Sequence, residues 1–63
     1  MENTISERLK HLRKEVGLTQ EVAARKIGIS YSTLQAHEGG NAPSKTSLKK
    51  YVAFYDCDEA WLL

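Results

Sequence analysis

Cysteine is almost absent: Cys57 is the only one in 63 residues. A lone thiol cannot close a disulfide within the chain, so the cross-links that rescue many small folds are excluded and a reducing, cytoplasmic setting is the expectation. No apolar run approaches the roughly 20 residues of a membrane span, and no signal-peptide pattern precedes Ile5. Strand patterning is missing too, because the β-branched residues never alternate over a useful length. There is no internal repeat, low-complexity tract or linker. What remains is one domain, residues 1–63, near the lower size limit for a self-sufficient core. A chain this short buries only about 60% of the surface its unfolded form exposes.

Catalytic groups are equally scarce. No nucleophile stands with a base, no carboxylates are paired for acid–base work, and no cluster has metal-ligand spacing. A short helical chain also leaves little room for a pocket. His37 has no second ligand at a convincing spacing, and Cys57 has no His or Asp arranged to activate it, so Cys57 reads as a small buried apolar residue. These absences argue against an enzyme, a metal, a cofactor or a small-molecule substrate.

A large excess of charge is also lacking, since the net is only +1. Its distribution is more telling. All nine Lys and Arg lie within residues 1–55, against five acids there, while Asp56, Asp58 and Glu59 cluster near the C-terminus. One end therefore faces away from phosphate while the rest can approach it.

What is present is helical periodicity punctuated by Gly, Ser and Pro. Asn3 or Thr4 caps a first helix whose apolar residues, Ile5, Leu9, Leu12 and Val16, draw one buried stripe before Gly17 ends it. A second helix runs from about Gln20 to Ile27 and a third from Tyr31 to Glu38. Asn41, Ala42 and Pro43 form a loop, and Ser44 caps a fourth helix to about Tyr55. Its inward face is Leu48, Tyr51, Val52 and Tyr55. Asp58 caps a last short turn through Glu59, Trp61 and Leu62. The fold class is all-α, a compact bundle of about five short helices.

Residues 19–40 carry the most information. Thr19 caps one short helix, with Glu21 in its first turn, and Ser30 caps the next after a tight Gly28-Ile29-Ser30 corner. The Gly39-Gly40 pair supplies a left-handed stop. Ala24, Ile27, Ile29 and Leu34 are spaced to pin one helix across the other. This is the layout of a helix-turn-helix, whose second helix is offered to the DNA major groove.

With these elements placed, the sequence resembles the lambda and 434 repressor and Cro group of helix-turn-helix domains within the Xre-like family. The likeness is carried by ISERLKHLRKEVGLTQ, the GIS corner, Glu38, Gly40, Pro43 and the terminal DEAWLL. It implies a structural pair between Arg13, late in the first helix, and Glu38, closing the third. It also implies that the N-terminus of the second helix, Thr19 and Gln20, meets a phosphate through its free N–H groups. Base reading would fall to Tyr31, Ser32 and Ala36, with Gln35 at the flank. Asn41, Ser44, Lys45 and Thr46 would hold phosphates, with Arg25, Lys26, Lys10 and Lys14 as lesser candidates. Ser32 bonds to any base and Ala36 accepts a thymine methyl, so Tyr31, Ser32 and Ala36 include none of the bidentate readers of guanine or adenine.

Departures from the family are local. Ala23-Ala24 stands where a large aliphatic usually precedes the small turn residue, leaving space for Tyr51, Phe54 or Tyr55 of the fourth helix to fill. His37 replaces a common Trp or Leu and is expected as a half-buried spacer. Gly39-Gly40 replaces a polar-Gly pair and makes that loop more pliable. Phe54 is hard to place inside; with Asp56, Asp58 and the acidic turn it forms a candidate dimer patch. Trp61 is expected to pack within the monomer instead. The apolar Leu62-Leu63 end suggests a DNA-binding domain cut from a longer repressor. The resulting expectation is a sequence-specific transcriptional regulator that binds double-stranded DNA as a homodimer. The alternative is a protein-interaction module such as the antitoxin half of a toxin–antitoxin pair, favoured by the low net charge and by Phe54 and Val22.

Overall fold

The computed structural model describes residues 4–63, which form five helices: α1 (Ile5–Glu15), α2 (Gln20–Ile27), α3 (Tyr31–Glu38), α4 (Lys45–Tyr55) and α5 (Glu59–Leu62). Each starts at a side-chain cap. Thr4, Thr19, Ser30 and Ser44 accept the backbone N–H of Glu7, Val22, Thr33 and Ser47, and Asp58 accepts that of Ala60. A cap of this kind contributes about 1 kcal/mol by satisfying a donor the first turn leaves unpaired. Asn3, the other expected cap of α1, lies outside the described residues.

The first four helices end by one device. Backbone N–H groups of Leu18, Ile29, Asn41 and Cys57 reach back five residues to the carbonyls of Arg13, Ala24, Ala36 and Val52, at 3.0–3.3 Å. Each closure needs a left-handed residue just before its donor. Gly17, Gly28 and Gly40 fill three of those positions, and Asp56, at φ 53°, fills the fourth. The expected glycine pair thus divides its work. Gly40 makes the left-handed turn at φ 121°, while Gly39 stays at φ −92°.

The core takes Leu9 from α1, Ala23 and Ala24 from α2, Leu34 from α3, Leu48 and Tyr51 from α4, and Leu62 from α5. Ile5, Leu12, Leu18, Ile27, Ile29, Val52, Tyr55 and Cys57 pack around it, partly buried. α3 lies against both α1 and α2; α4 braces α2 and α5, and α5 returns to α1. Of the three aromatic residues of α4, Tyr51 is fully buried in the core that holds Ala23 and Ala24, Tyr55 is partly buried, and Phe54 stays half-buried, edge-on to Tyr55 at 5.1 Å.

One expected core position is corrected. Val16 is 53% exposed because α1 stops at Glu15 and Gly17 turns the chain away, so Leu18 takes the inward place. Trp61 is 42% exposed while its neighbour Leu62 is fully buried. The four-residue α5 can point only one of them inward. The Arg8 guanidinium covers the indole at 5.6 Å and donates to the carbonyls of Trp61 and Leu62 at 2.8 and 3.4 Å.

Asp56 holds a backbone conformation that a Cβ disfavours and glycine adopts freely. Asp56→Gly is expected to raise the unfolding free energy by about 0.5–1 kcal/mol, read by urea unfolding. An unchanged or lower midpoint would show that the aspartate side chain stabilises its own left-handed turn.

Candidate nucleic-acid interface

α3 buries Leu34, His37 and Glu38, a spacing of three and four that sets one face inward. At about 100° per residue, Ser32, Ala36 and Gly39 then fall on the opposite face, with Gln35 at its edge. Tyr31 projects from the first turn, 47% exposed. Ser32 and Gln35 are exposed and Ala36 is half-buried. The outward line is therefore made of small residues flanked by one phenol and one carboxamide. At the start of this helix the Ser30 hydroxyl both caps Thr33 N–H and donates to the Thr33 hydroxyl at 2.6 Å, an exposed pair.

Two further helix starts accompany α3. Thr19 is exposed, with its side-chain oxygen committed to Val22 N–H. After the exposed turn Gly39–Ala42, Ser44 caps α4, and Lys45 and Thr46 are exposed on its first turn. Lys49 and Lys50 follow, also exposed, and Lys50 Nζ lies 3.4 Å from the carbonyl of Gly28 in the α2–α3 turn. Arg25 and Lys26 are exposed at the end of α2, as are Lys10 and Lys14 on α1. The exposed acids Asp56 and Asp58 follow the far end of α4, whose 11 residues span about 16 Å. Positive charge and acid are thus separated along α4.

Beneath α3 lies a buried polar network. Arg13 Nε donates to both Glu38 carboxylate oxygens at 3.1 and 3.0 Å, and Arg13 Nη1 donates to Leu18 O at 2.8 Å. Gln20 Nε2 donates to the same carboxylate at 3.2 Å. The Glu38 side chain is only 2% exposed, so these donors replace its water. Sequence comparison suggested Arg13 and Glu38 as partners; that Gln20, a phosphate candidate, commits an N–H to Glu38 had no signal.

His37 is buried rather than half-buried, with Nδ1 2.8 Å from the Tyr51 hydroxyl. Tyr51 stacks on Tyr55, centroids 6.3 Å apart and planes within 3°. The Tyr55 hydroxyl is buried with no hydrogen-bond partner among the described residues. Burial, with the Glu38 charge beside it, pushes the Tyr55 phenol up to about 12. Tyr51 is pushed up as well, by burial first and then by Tyr55 and Glu38. Burial also raises the Cys57 thiol and lowers the His37 imidazole. The phase of α3 indicated that His37 faces inward, three residues after Leu34. Its partner stands fourteen residues away, beyond any local pattern. The same holds for Arg8 on Trp61 and for Lys50 on Gly28.

Among the described residues no group of three or more His, Cys, Asp or Glu is placed to hold a metal, and no helix is long and apolar enough to cross a membrane. A family model described as helix-turn-helix matches residues 9–62. No curated protein and no solved structure matches the chain significantly.

The two stacked tyrosines should respond oppositely to loss of their hydroxyls. Tyr51→Phe strands His37 Nδ1 and is expected to cost about 1 kcal/mol, whereas Tyr55→Phe removes an unsatisfied buried group and is expected to be neutral or stabilising by up to about 1 kcal/mol. Both phenols titrate higher folded than unfolded, so stability should be retained below pH 10 and fall above it. Thermal melts at neutral and alkaline pH test both statements. Equal losses for the two variants would contradict the hydrogen-bond assignment.

Arg13→Ala leaves a buried carboxylate short of its charged partner, a change that costs about 3–5 kcal/mol. At about 0.05–0.15 kcal/mol per residue, that is a large share of the stability of so short a chain. The expected outcome is a largely unfolded population at 37 °C by circular dichroism, with the double variant Arg13→Met, Glu38→Leu less damaged than the single one.

Proposed function

The chain belongs to the Cro/C1-type, Xre-like helix-turn-helix family of DNA-binding regulators, and from that premise we propose that it is a phage-repressor-type transcriptional regulator. In this reading it binds a specific, near-palindromic duplex site as a homodimer in the cytoplasm. α3 enters the major groove and a partner copy presents the same helix about 34 Å away, one helical turn along the duplex. Tyr31, Ser32, Ala36 and Gln35 face the bases. Thr19, Gln20, Asn41, Ser44, Lys45 and Thr46 meet phosphates and set the register. Phe54, Asp56 and Asp58 contribute to contact between copies, on the side of α4 remote from Lys45.

The observation that carries this reading is the two-sidedness of α3. Its inner face is locked by a buried charge network, and its outer face exposes Ser32, Gln35 and Tyr31 beside the basic first turn of α4. The small outward line lets the helix backbone approach the groove floor closely. Because Ser and Ala discriminate bases weakly, sequence-dependent DNA shape would contribute much of the selectivity. Val22 and Phe54, the apolar residues that would favour a protein partner instead, are both half-buried.

Selection of bound sequences from random duplex DNA, at low and moderate salt, tests the proposal. The expected product is a palindrome with half-sites about 10 base pairs apart. Tyr31→Ala and Ser32→Ala should each weaken binding to that product by about 1–3 kcal/mol while leaving random DNA nearly unaffected. Lys45→Ala should weaken both and lower the salt slope by about 1. Binding no tighter than to random duplex, or affinity indifferent to salt, would sink the DNA reading in favour of a protein-interaction module.

A further inference from the structure

His37 is a buried titratable group for which base and phosphate contacts have no use. It sits in the last turn of α3, next to Glu38 and just ahead of the Gly39-Gly40 turn. Only 8% of it is exposed. Its ring meets Tyr51 of α4 edge-on, centroids 5.6 Å apart, with Nδ1 2.8 Å from the hydroxyl. Tyr51 is fully buried, and its hydroxyl has no second partner among the described residues. The arrangement that satisfies both groups has Tyr51 O–H donating to Nδ1, with the ring proton on Nε2.

A second proton on the imidazole breaks that arrangement. Nδ1 becomes a donor facing a donor, and Tyr51 must turn its hydrogen away into a buried site that offers no acceptor. The new charge also finds no counter-ion among the described residues. Glu38, beside it on α3, is already matched by Arg13 of α1 and hydrogen-bonded by Gln20 of α2. From α4, Tyr51 and Tyr55 remain neutral phenols throughout the acid range. The C-terminal dipole of α3 favours a cation, yet desolvation prevails and the imidazole titrates below its usual 6.5. Stability contributed by neutral His37 is therefore complete above about pH 6.5, the value in the unfolded chain. It is lost progressively as pH falls below that value.

We propose that the His37–Tyr51 hydrogen bond is an acid-sensitive latch between α3 and α4, so that protonation of His37 unseats the last turn of the DNA-facing helix and weakens DNA binding. The latch rests on the contact between His37 of α3 and Tyr51 of α4; its effect on DNA rests on the function proposed above. The direction of the effect is diagnostic. Acid ordinarily strengthens attraction to phosphate by adding positive charge, whereas the latch makes acid weaken it.

Two readouts on the full chain separate the parts. Amide hydrogen exchange of α3, corrected for the intrinsic pH dependence, is compared at pH 7.5 and pH 5 without DNA. Affinity for the duplex enriched by selection is measured over the same range. The expected result is a loss of protection in the C-terminal turn of α3 and a weaker affinity at pH 5 than at pH 7.5. His37→Asn, whose side-chain amide can take the place of Nδ1 without titrating, should flatten both responses. His11→Gln, which removes the other histidine of the chain, should leave them intact. Protection of α3 that is the same at both pH values in the wild-type chain overturns the latch, whether or not any variant folds. A pH response that survives His37→Asn overturns it too. If no duplex is enriched, the DNA reading fails and the protection data still decide the latch.

Discussion

The placement of α3 in this fold depends on one buried carboxylate. Glu38 closes α3, and its charge is withdrawn from water almost completely. A carboxylate in that position must be compensated within the protein, because an unpaired buried charge would remove much of the stability a 63-residue chain can have. The compensation comes from two other helices. Arg13 of α1 offers its Nε to both oxygens and Gln20 of α2 adds a third donor, while the other end of the guanidinium holds Leu18 O. A group that must be satisfied from α1 and α2 at once permits little rotation or slippage of α3. The network contributes geometry more than net stability, since desolvation offsets much of the attraction.

A helix of eight residues is too short to persist alone, and α3 survives because its inner face is gripped along its length. Ser30 caps the start, Leu34 fills the core, His37 bonds to α4, and Glu38 binds α1 and α2. The outer face is left with side chains that have no structural task, which is what a recognition surface requires. The grip is uneven, however. The Leu34 contact does not depend on a proton, whereas His37 can change its hydrogen-bonding role with pH. The C-terminal turn of α3 is therefore the part whose docking can be tuned, and it is followed by the Gly39-Gly40 turn.

Much of the fold was legible in the sequence because it is written in local terms. Thr19, Ser30, Ser44 and Asp58 signalled helix starts by chemistry acting over two or three residues, and Gly17, Gly28 and Gly40 signalled stops by the backbone angles they permit. The inward positions Leu9, Leu34, Leu48 and Tyr51 followed from helical spacing. The error lay where a helix was shorter than its pattern. Val16 continued the stripe of α1 in sequence but fell beyond its last turn. For the candidate interface, the exposure of Ser32 and Gln35 is a consequence of phase and was readable. The commitments of Gln20, His37, Arg8 and Lys50 join residues 14 to 54 positions apart and leave no periodic trace.

By itself the sequence determined the five helices, their caps, the glycine stops of the first three, the helix-turn-helix layout and the face that α3 buries, because each depends on interactions within one or two turns of chain. Only the tertiary structure decided how the interior is shared out: which donors surround Glu38, that Tyr51 rather than Phe54 is the fully buried ring of α4, and that His37 pairs with a phenol. Those choices are made by competition for a small enclosed volume, where every donor needs an acceptor. That competition exists only after the helices have come together.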